Sequence, residues 1–541
     1  MRDYFAKNKS YLTILAGVLL GLGYNFSYLW PLLFFGLGPI IYYLLRVCQN
    51  PRAAFLHAWL MGVIFIGISQ NWFWAALPMD WAGISNPYAG VAAISYYWVT
   101  SLFALSIFIA LWGLLVYKIK TANLINLFLF PSLWVLLEYL RAWGYTLFYW
   151  SESSLLGPHW TPALLGYALA NNTFLLQLAR FGGGYLLSFF VVLVGFLVYL
   201  FILDFKNVKL KTKFLIFAAL IFIFVFLDIY ISNSSFRHGD QSIRFALVNT
   251  QFKSHFNYTL DEQLDEFERQ KEIITQIKDD GLDPDVIVLP EGSNFLRRFN
   301  LNQESSAQEY LSNILGGTDK LIIDSGPVIK QNRDAYSTIF YFDLANGQYR
   351  QYQKQLLYPN GEYLPYLVTW PAKIFGQSKF VENFNKYRAY KKGGETKVVN
   401  YNDVNIGGNF CSEISSGNLY RDFVNQGAQV LVNVASHSVF KGDHMLSKQL
   451  IDMAKVRAVE VNRFLIRPNN WEGSFVVDSL GRIVSQASIG NPKVIYADIT
   501  PLQNKTAFVR FGNWIVGLSA MIIGLIFFHN LILGRKRKNV V

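Results

Sequence analysis

The chain has 541 residues, of which 52% are hydrophobic, 17% aromatic and only 16% charged. That is too apolar for an ordinary soluble enzyme, and the apolar residues are unevenly placed. The net charge of +12 raises nucleic acid as a partner, but much of the basic excess flanks apolar runs, so nucleic-acid binding is not expected.

A bilayer crossing needs about 20 apolar residues. Eight runs meet this: 11–29, 30–46, 56–77, 89–117, 123–140, 184–203, 213–231 and 511–533, with 163–180 as a further buried or half-inserted segment. The N-terminal run lacks a small-residue cleavage site and reads as an uncleaved first span. Arg2, Lys7 and Lys9 precede the first run, and Arg46 and Arg52 lie between the second and third. Lys118 and Lys120 follow the fourth, Lys206 to Lys213 the sixth, and Arg535 to Lys538 the last. Alternate connections are nearly free of basic residues, which predicts both termini in the cytoplasm and a 236–507 block on the opposite face. The division is thus a membrane domain over 1–235, an outer domain over 236–507, and a final span with a basic tail over 508–541.

Within the block, short apolar runs alternate with charged helical stretches. Ile243–Val248, Val286–Leu289, Leu321–Ile323, Thr338–Phe342, Val404–Gly407, Val430–Val434, Phe464–Ile466 and Phe475–Val477 are predicted strands. Leu260–Asp279, Glu304–Leu315, Ile414–Gln426 and Met445–Asn462 are predicted helices, giving an α/β or α+β layered domain. Gly-rich phosphate loops, paired CxxC motifs and HExxH are absent from the sequence. The seven histidines are scattered, and His437 and His444, either side of a Lys-Gly-Asp turn, read as solvated loop residues; no metal is expected.

Cys411 is the only cysteine in the block, and Cys48 is predicted on the other side, so no intramolecular disulfide is expected. A free thiol in an oxidising compartment points to function. Upstream, Glu291 ends the buried-strand pattern Asp285-Val286-Ile287-Val288-Leu289-Pro290, and Lys354 lies in Tyr352-Gln353-Lys354-Gln355. Each residue alone has an ordinary role: a small core hydrophobe, a strand-end carboxylate and a surface lysine. Together, at or just beyond strands, they point to a thiolate nucleophile with a base and a cation, because a free thiol is mostly protonated near neutral pH. The membrane setting points to a lipid substrate. From Tyr363 to Lys392, Trp370, Phe375 and Phe380 alternate with lysines, a pattern suited to the lipid headgroup region.

The order Pro-Glu, Lys, Cys resembles the nitrilase superfamily and its Glu-Lys-Cys triad. The wider context resembles the bacterial apolipoprotein N-acyltransferases, which place such a domain between the last two of eight spans. Lys354 to Glu362 followed by Tyr363-Leu364-Pro365 is similar to the family's Lys-x-x-Leu-Val-Pro-Phe-Gly-Glu-x-x-Pro. Met453 to Glu460 is similar to its Met-Ala-Arg-x-Arg-Ala-x-Glu helix, and Trp134–Arg141 and Ala179–Phe189 to membrane segments. Three places depart from the pattern. Ser412 stands where an aromatic usually follows the nucleophile, Ala435–Lys441 loses the Asn, Asp and Trp of Ser-Asn-Asp-x-Trp-Phe-Gly, and Asn469–Gly473 matches Thr-Asn-x-Gly only loosely.

The resemblance implies an eight-span helical domain in the bacterial inner membrane and a periplasmic nitrilase-like αββα sandwich. It implies ping-pong transfer of an acyl chain from a phospholipid, through a Cys411 thioester, to the N-terminal amine of a diacylglyceryl-modified lipoprotein. Glu291 would be the base, and Lys354 would stabilise the oxyanion with the Ser412 backbone N–H. Glu362 would orient Lys354 or the acceptor, and Glu413 is a weaker candidate, an N-terminal charge on the helix that follows. No metal or organic cofactor is implied, and the expected state is a monomer in the bilayer. The rivals are a membrane-anchored amidase with water as acceptor and a transporter with an accessory outer domain. Against the transporter, the spans hold few ionisable residues; Glu138 and Arg141 are the main candidates, and Glu138 falls near the end of the run 123–140.

Overall fold

The computed structural model describes residues 9–119, 123–203, 242–254, 259–299 and 304–538. Among these, four helices are long and apolar enough to cross a membrane: Pro51–Ser69, Pro87–Ile119, Ile125–Phe148 and Ala179–Ile202. Three shorter apolar helices, Ser10–Asn25, Leu32–Val47 and Trp514–His529, match the first two predicted runs and the last. The predicted run 213–231 lies outside the described residues.

Local chemistry moves several boundaries. The helix Pro51–Ser69 starts earlier than the predicted 56 because Asn50 accepts from the Ala53 N–H and Pro51 suits the first helical turn. Asn172 accepts from the Leu175 N–H and interrupts 163–180, leaving a buried 3-10 helix, Leu165–Asn171, and one turn, Thr173–Leu176. The helix Asn123–Phe148 runs past the predicted end at 140, so Glu138 sits inside it, not near a span end. There Glu138 and Arg141 are both buried, with Arg141 Nη2 at 3.5 Å from Glu138 Oε1. Glu138 Oε1 also accepts from the Leu165 N–H and Arg141 donates to the Ala163 carbonyl, so the pair braces the buried 3-10 segment.

The α/β part contains two sheets. The first has the order β13 (Lys493–Ile499), β1 (Ile243–Asn249), β2 (Val286–Val288), β3 (Leu321–Ile329), β4 (Ala335–Asp343), β5 (Tyr349–Gln353). The second runs β12 (Ile483–Gln486), β11 (Phe475–Val477), β9 (Phe464–Arg467), β8 (Val430–Ser436), β7 (Val404–Phe410), β6 (Val398–Tyr401), with the two-residue β10 (Asn469–Asn470) beside β8. Strand alternation divides the side chains between two layers. Phe245, Leu247, Val286 and Val288 share a core with Ile406, Phe410, Val432 and Val434 of the other sheet. Ala246, Val248, Ile287 and Leu289 instead pack against Ile273, Ile277, Leu311 and Leu315 of the helices Leu260–Asp279 and Glu304–Leu315. The helices Gly417–Asn425 and His444–Val461 cover the second sheet through Phe423, Val424, Ala454 and Ala458. The result is a helix–sheet–sheet–helix sandwich. Gly408 permits close approach of the sheets: a Cβ there would stand 2.1 Å from the Tyr341 hydroxyl.

All eight predicted strands are present. Five strands among the described residues are unpredicted: β5 is a mostly exposed edge, β6 and β12 are four-residue strands that alternate in burial, β10 has two residues, and β13 is unpredicted although 494–497 is an apolar run. The predicted helix Ile414–Gln426 divides into a 3-10 turn, Cys411–Ser415, and the helix Gly417–Asn425, where Ser416 accepts from the Leu419 N–H as N-cap.

The helix His444–Val461 joins the two halves. Glu460 Oε1 accepts from the Gly184 N–H at 2.7 Å. Gly183 has φ +68°, and a Cβ there would lie 2.9 Å from Glu460 Oε1, so the kink in Ala179–Val198 requires glycine. Arg180 donates to Asn462 Oδ1 and the Ser479 carbonyl, both at 2.8 Å.

Candidate active site

Three chain segments that end strands meet at the seam between the sandwich and the helical bundle. Pro290 ends the run from β2, and the Glu291 N–H donates to the Ala435 carbonyl of β8 at 3.3 Å. Lys354 follows β5; its N–H donates to the Ser337 carbonyl at 2.9 Å, and its carbonyl accepts from the Gly393 N–H at 2.7 Å. Cys411 follows β7 and opens the 3-10 turn.

Lys354 is buried, at 3% exposure, rather than a surface lysine. Its Nζ lies 3.1 Å from Glu291 Oε1 and 2.9 Å from Glu362 Oε1. Burial alone would discharge the amine, but the two carboxylates and Cys411 outweigh it and hold the ammonium well above its ordinary range. Burial pushes the Glu362 carboxyl up against the opposing pull of Lys354, with Glu291 adding to the rise. Glu291, Lys354 and Glu362 are thus one ionic cluster, which interacts electrostatically with Cys411.

Glu413 is not a solvated charge at a helix start. It is fully buried: Oε1 accepts from the Tyr352 hydroxyl at 2.8 Å and from the Gln355 and Leu356 N–H groups at 2.8 and 3.1 Å. Oε2 accepts from the Phe410 N–H at 2.8 Å. One carboxylate therefore ties Tyr352, Gln355 and Leu356, which flank Lys354, to the residue before Cys411. Ser412 reinforces this by donating to the Leu356 carbonyl at 3.0 Å.

His437 corrects the sequence expectation most directly. It is 3% exposed, with Nε2 at 3.3 Å from Cys411 Sγ and Nδ1 at 2.8 Å from Glu472 Oε2. The ring is buried because Ala435 and Ser436 pair with Asn469 and Asn470, which brings Glu472 over it. The signal available in the sequence was position: His437 directly follows the apolar run of β8, as Cys411 follows β7. Burial disfavours its charge, yet Glu472 and Cys411 hold the imidazole up to about 10. Burial opposes ionisation of Glu472 too, but His437 holds it below the ordinary carboxylate range.

The site faces the helical bundle. Tyr358 and Trp160 meet edge to face at 5.8 Å, and the Tyr363 hydroxyl donates to the Tyr149 carbonyl at 2.9 Å. Thr161 donates to the Ser415 carbonyl at 2.8 Å, and Ser415 donates to the His159 carbonyl at 3.0 Å. The predicted interfacial stretch forms two helices, Tyr366–Ile374 and Ser378–Tyr387. Trp370, Ile374 and Phe375 are exposed at 64%, 80% and 79%, whereas Phe380 packs inward against a small core containing Val381 and Phe384.

The family model for the apolipoprotein N-acyltransferase N-terminal domain matches residues 16–197, and that for carbon-nitrogen hydrolases matches 262–503. The apolipoprotein N-acyltransferase of Haemophilus influenzae is 25% identical over 98% of this chain and 96% of its own. Along nearly its whole length the chain is similar to apolipoprotein N-acyltransferases. Others align at similar distance: that of Rickettsia typhi is 26% identical over 95% of this chain and 97% of its own, and that of Aquifex aeolicus 26% over 89% and 97%. Among solved structures, an amidase of the nitrilase superfamily from Nesterenkonia aligns over 49% of this chain and 93% of its own, at 16% identity and a TM-score of 0.35. A Saccharomyces cerevisiae member of branch 10 of that superfamily aligns over 48% and 91%, at 17% identity and a TM-score of 0.36.

Proposed function

We propose that this protein is an inner-membrane acyltransferase that moves an acyl chain from a phospholipid to the N-terminal amine of a lipidated cysteine on a lipoprotein. The observation that carries the reading is the Glu291–Lys354–Glu362 cluster beside Cys411, closed against the aromatic end of the helical bundle. The similarity to apolipoprotein N-acyltransferases supports the acceptor class, and the apolar surroundings support a lipid donor.

Cys411 Sγ attacks the ester carbonyl carbon as a thiolate, its proton having passed to a base, for which Glu291 is the candidate. The tetrahedral oxyanion is stabilised by the Lys354 ammonium, whose charge the paired carboxylates maintain despite burial, and by the Ser412 backbone N–H. Collapse breaks the acyl C–O bond, the leaving alkoxide takes the proton, and a lysophospholipid departs. The lipoprotein amine then attacks the thioester carbonyl, an amide forms, and the thiol is regenerated. One site serving two substrates in turn gives ping-pong kinetics. The catalytic domain faces the periplasm, both termini are cytoplasmic, and the exposed Trp370 and Phe375 contact lipid. A monomer contains the whole site.

Incubating the purified protein with phospholipid and a synthetic diacylglyceryl lipopeptide tests the reading by mass spectrometry. The lipopeptide should gain one acyl mass as an amide. Release of free fatty acid with the lipopeptide unchanged would replace the transferase with a hydrolase.

A further inference from the structure

Cys411 has a second ionic neighbour that the Glu-Lys-Cys scheme does not use. His437 Nε2 stands 3.3 Å from Sγ, within hydrogen-bonding reach of sulfur. Its Nδ1 is 2.8 Å from Glu472 Oε2 and 3.1 Å from Asn469 Nδ2; the shorter contact is to a carboxylate, which can only accept, and it favours the tautomer with the proton on Nδ1 and Nε2 facing the thiol. Glu472 is itself held, with Oε1 accepting from Ser447 at 2.6 Å and Oε2 from Asn469 Nδ2 at 2.9 Å. His437, Glu472 and Asn469 are each under a tenth exposed, so solvent scarcely weakens these contacts. His437 occupies the place of the Asp in the family's Ser-Asn-Asp-x-Trp-Phe-Gly pattern.

We propose that His437, oriented by Glu472, is a catalytic residue that takes the Cys411 proton and holds the nucleophile as a thiolate–imidazolium pair. The Sγ–H bond breaks and an Nε2–H bond forms, with no net change of charge in the pocket. The charged groups facing the ring are Cys411 from the turn after β7, Arg467 from β9 and Glu472 from the loop after β10. Arg467 Nη2 lies 3.4 Å from Nε2 and opposes a second positive charge there, but Glu472 and the thiolate offset the two cations. Thiol activation therefore does not depend on Glu291 alone: on collapse the proton held on Nε2 passes to the leaving alkoxide by way of Glu291, and Glu291 then takes the proton of the incoming amine and returns it to sulfur. This deepens the proposed function and rests on Cys411 as its nucleophile.

The test is the rate of alkylation of Cys411 by iodoacetamide between pH 5 and 10. It uses the full chain in detergent micelles with Cys48→Ala, which removes the other cysteine. Alkylation needs neither phospholipid nor acceptor, so a protein that shows the ion pair yet transfers no acyl chain contradicts only the proposed function. With His437 present, the rate at pH 6.5 should stay within about twofold of its alkaline plateau, where an ordinary thiol of pKa near 8.5 would be about 1% thiolate. His437→Gln should lower the rate at pH 6.5 by at least about tenfold relative to its own plateau and move the midpoint towards the ordinary thiol value. Glu472→Gln keeps the ring and should move the midpoint in the same direction; it carries the test if His437→Gln does not fold. Superimposable profiles for the parent and the folded variants would overturn the proposal, as would a parent midpoint near 8.5.

Discussion

Glu362 reaches back along the chain so that Oε1 accepts from Lys354 Nζ at 2.9 Å while Oε2 accepts from the Tyr358 N–H at 2.7 Å. The carboxylate fixes the loop between the lysine and itself, and it leaves Glu291 as the second partner of the same ammonium. The two glutamates are therefore distinguishable by experiment. Glu291→Gln should lower acyl-enzyme formation by the roughly 10²–10⁴-fold typical of lost acid–base catalysis. Glu362→Gln should still form the acyl-enzyme slowly and turn it over poorly. Single-turnover mass spectrometry of Cys411 separates the two, and equal acylation by wild type and Glu291→Gln would remove Glu291 as the base.

The buried clamp at Glu413 predicts a stability effect. Glu413→Ala leaves the Tyr352 hydroxyl and three backbone N–H groups without their acceptor. At about 1–3 kcal/mol for each of the four buried groups left unsatisfied, the loss should be at least about 4 kcal/mol. Thermal unfolding should show a lower midpoint, and activity should fall because Lys354 and Cys411 lose their common tether. An unchanged midpoint would contradict the clamp.

The His437–Glu472 pair predicts a pH dependence with a definite sign. The folded-state value of His437, about 10, lies above its unfolded value near 6.5, so its contribution is complete below about pH 6.5 and is lost as pH rises towards 10. The folded-state value of Glu472 is depressed, so its contribution is present above the ordinary glutamate value and is lost as pH falls below it. The stability difference between wild type and His437→Gln should therefore shrink between pH 6.5 and 10. Denaturant titrations at three pH values would reveal it; a constant difference would refute the charged pair.

Topology offers a further check. In a Cys48→Ala background, cysteine at half-exposed Lys271 should react with an impermeant maleimide from outside, and cysteine at exposed Lys118 only after the membrane is opened. A polarity-sensitive label at Phe375→Cys should be quenched by brominated lipid if the Tyr366–Ile374 helix touches the bilayer. Labelling of Lys271→Cys and Lys118→Cys from the same face would contradict the orientation.

The strands were readable wherever burial on both faces imposes an apolar run, as in Val286–Leu289 and Val430–Val434. Edge strands such as Tyr349–Gln353 bury little and carry no such run, so pairing alone defines them. As candidates, Glu291 and Cys411 were legible because each follows an apolar strand run, whereas Lys354 follows the exposed edge strand Tyr349–Gln353 and was marked only by its family-like spacing to Glu362. The role of Glu413 was not, because its partners Tyr352, Gln355 and Leu356 come from a distant segment. His437 was misread because a histidine before a Lys-Gly-Asp turn looks solvated until β10 pairs with β8 and delivers Glu472.

The central claim is that Cys411 carries the acyl chain. Incubation with a phospholipid of defined acyl length, followed by peptide mass spectrometry, tests it directly. One acyl mass should appear on the peptide containing Cys411, be removed by hydroxylamine, be accompanied by lysophospholipid, and be absent from Cys411→Ala. The same adduct in Cys411→Ala, or lysophospholipid release without any Cys411 adduct in wild type or in the slow-turnover Glu362→Gln variant, would contradict the account.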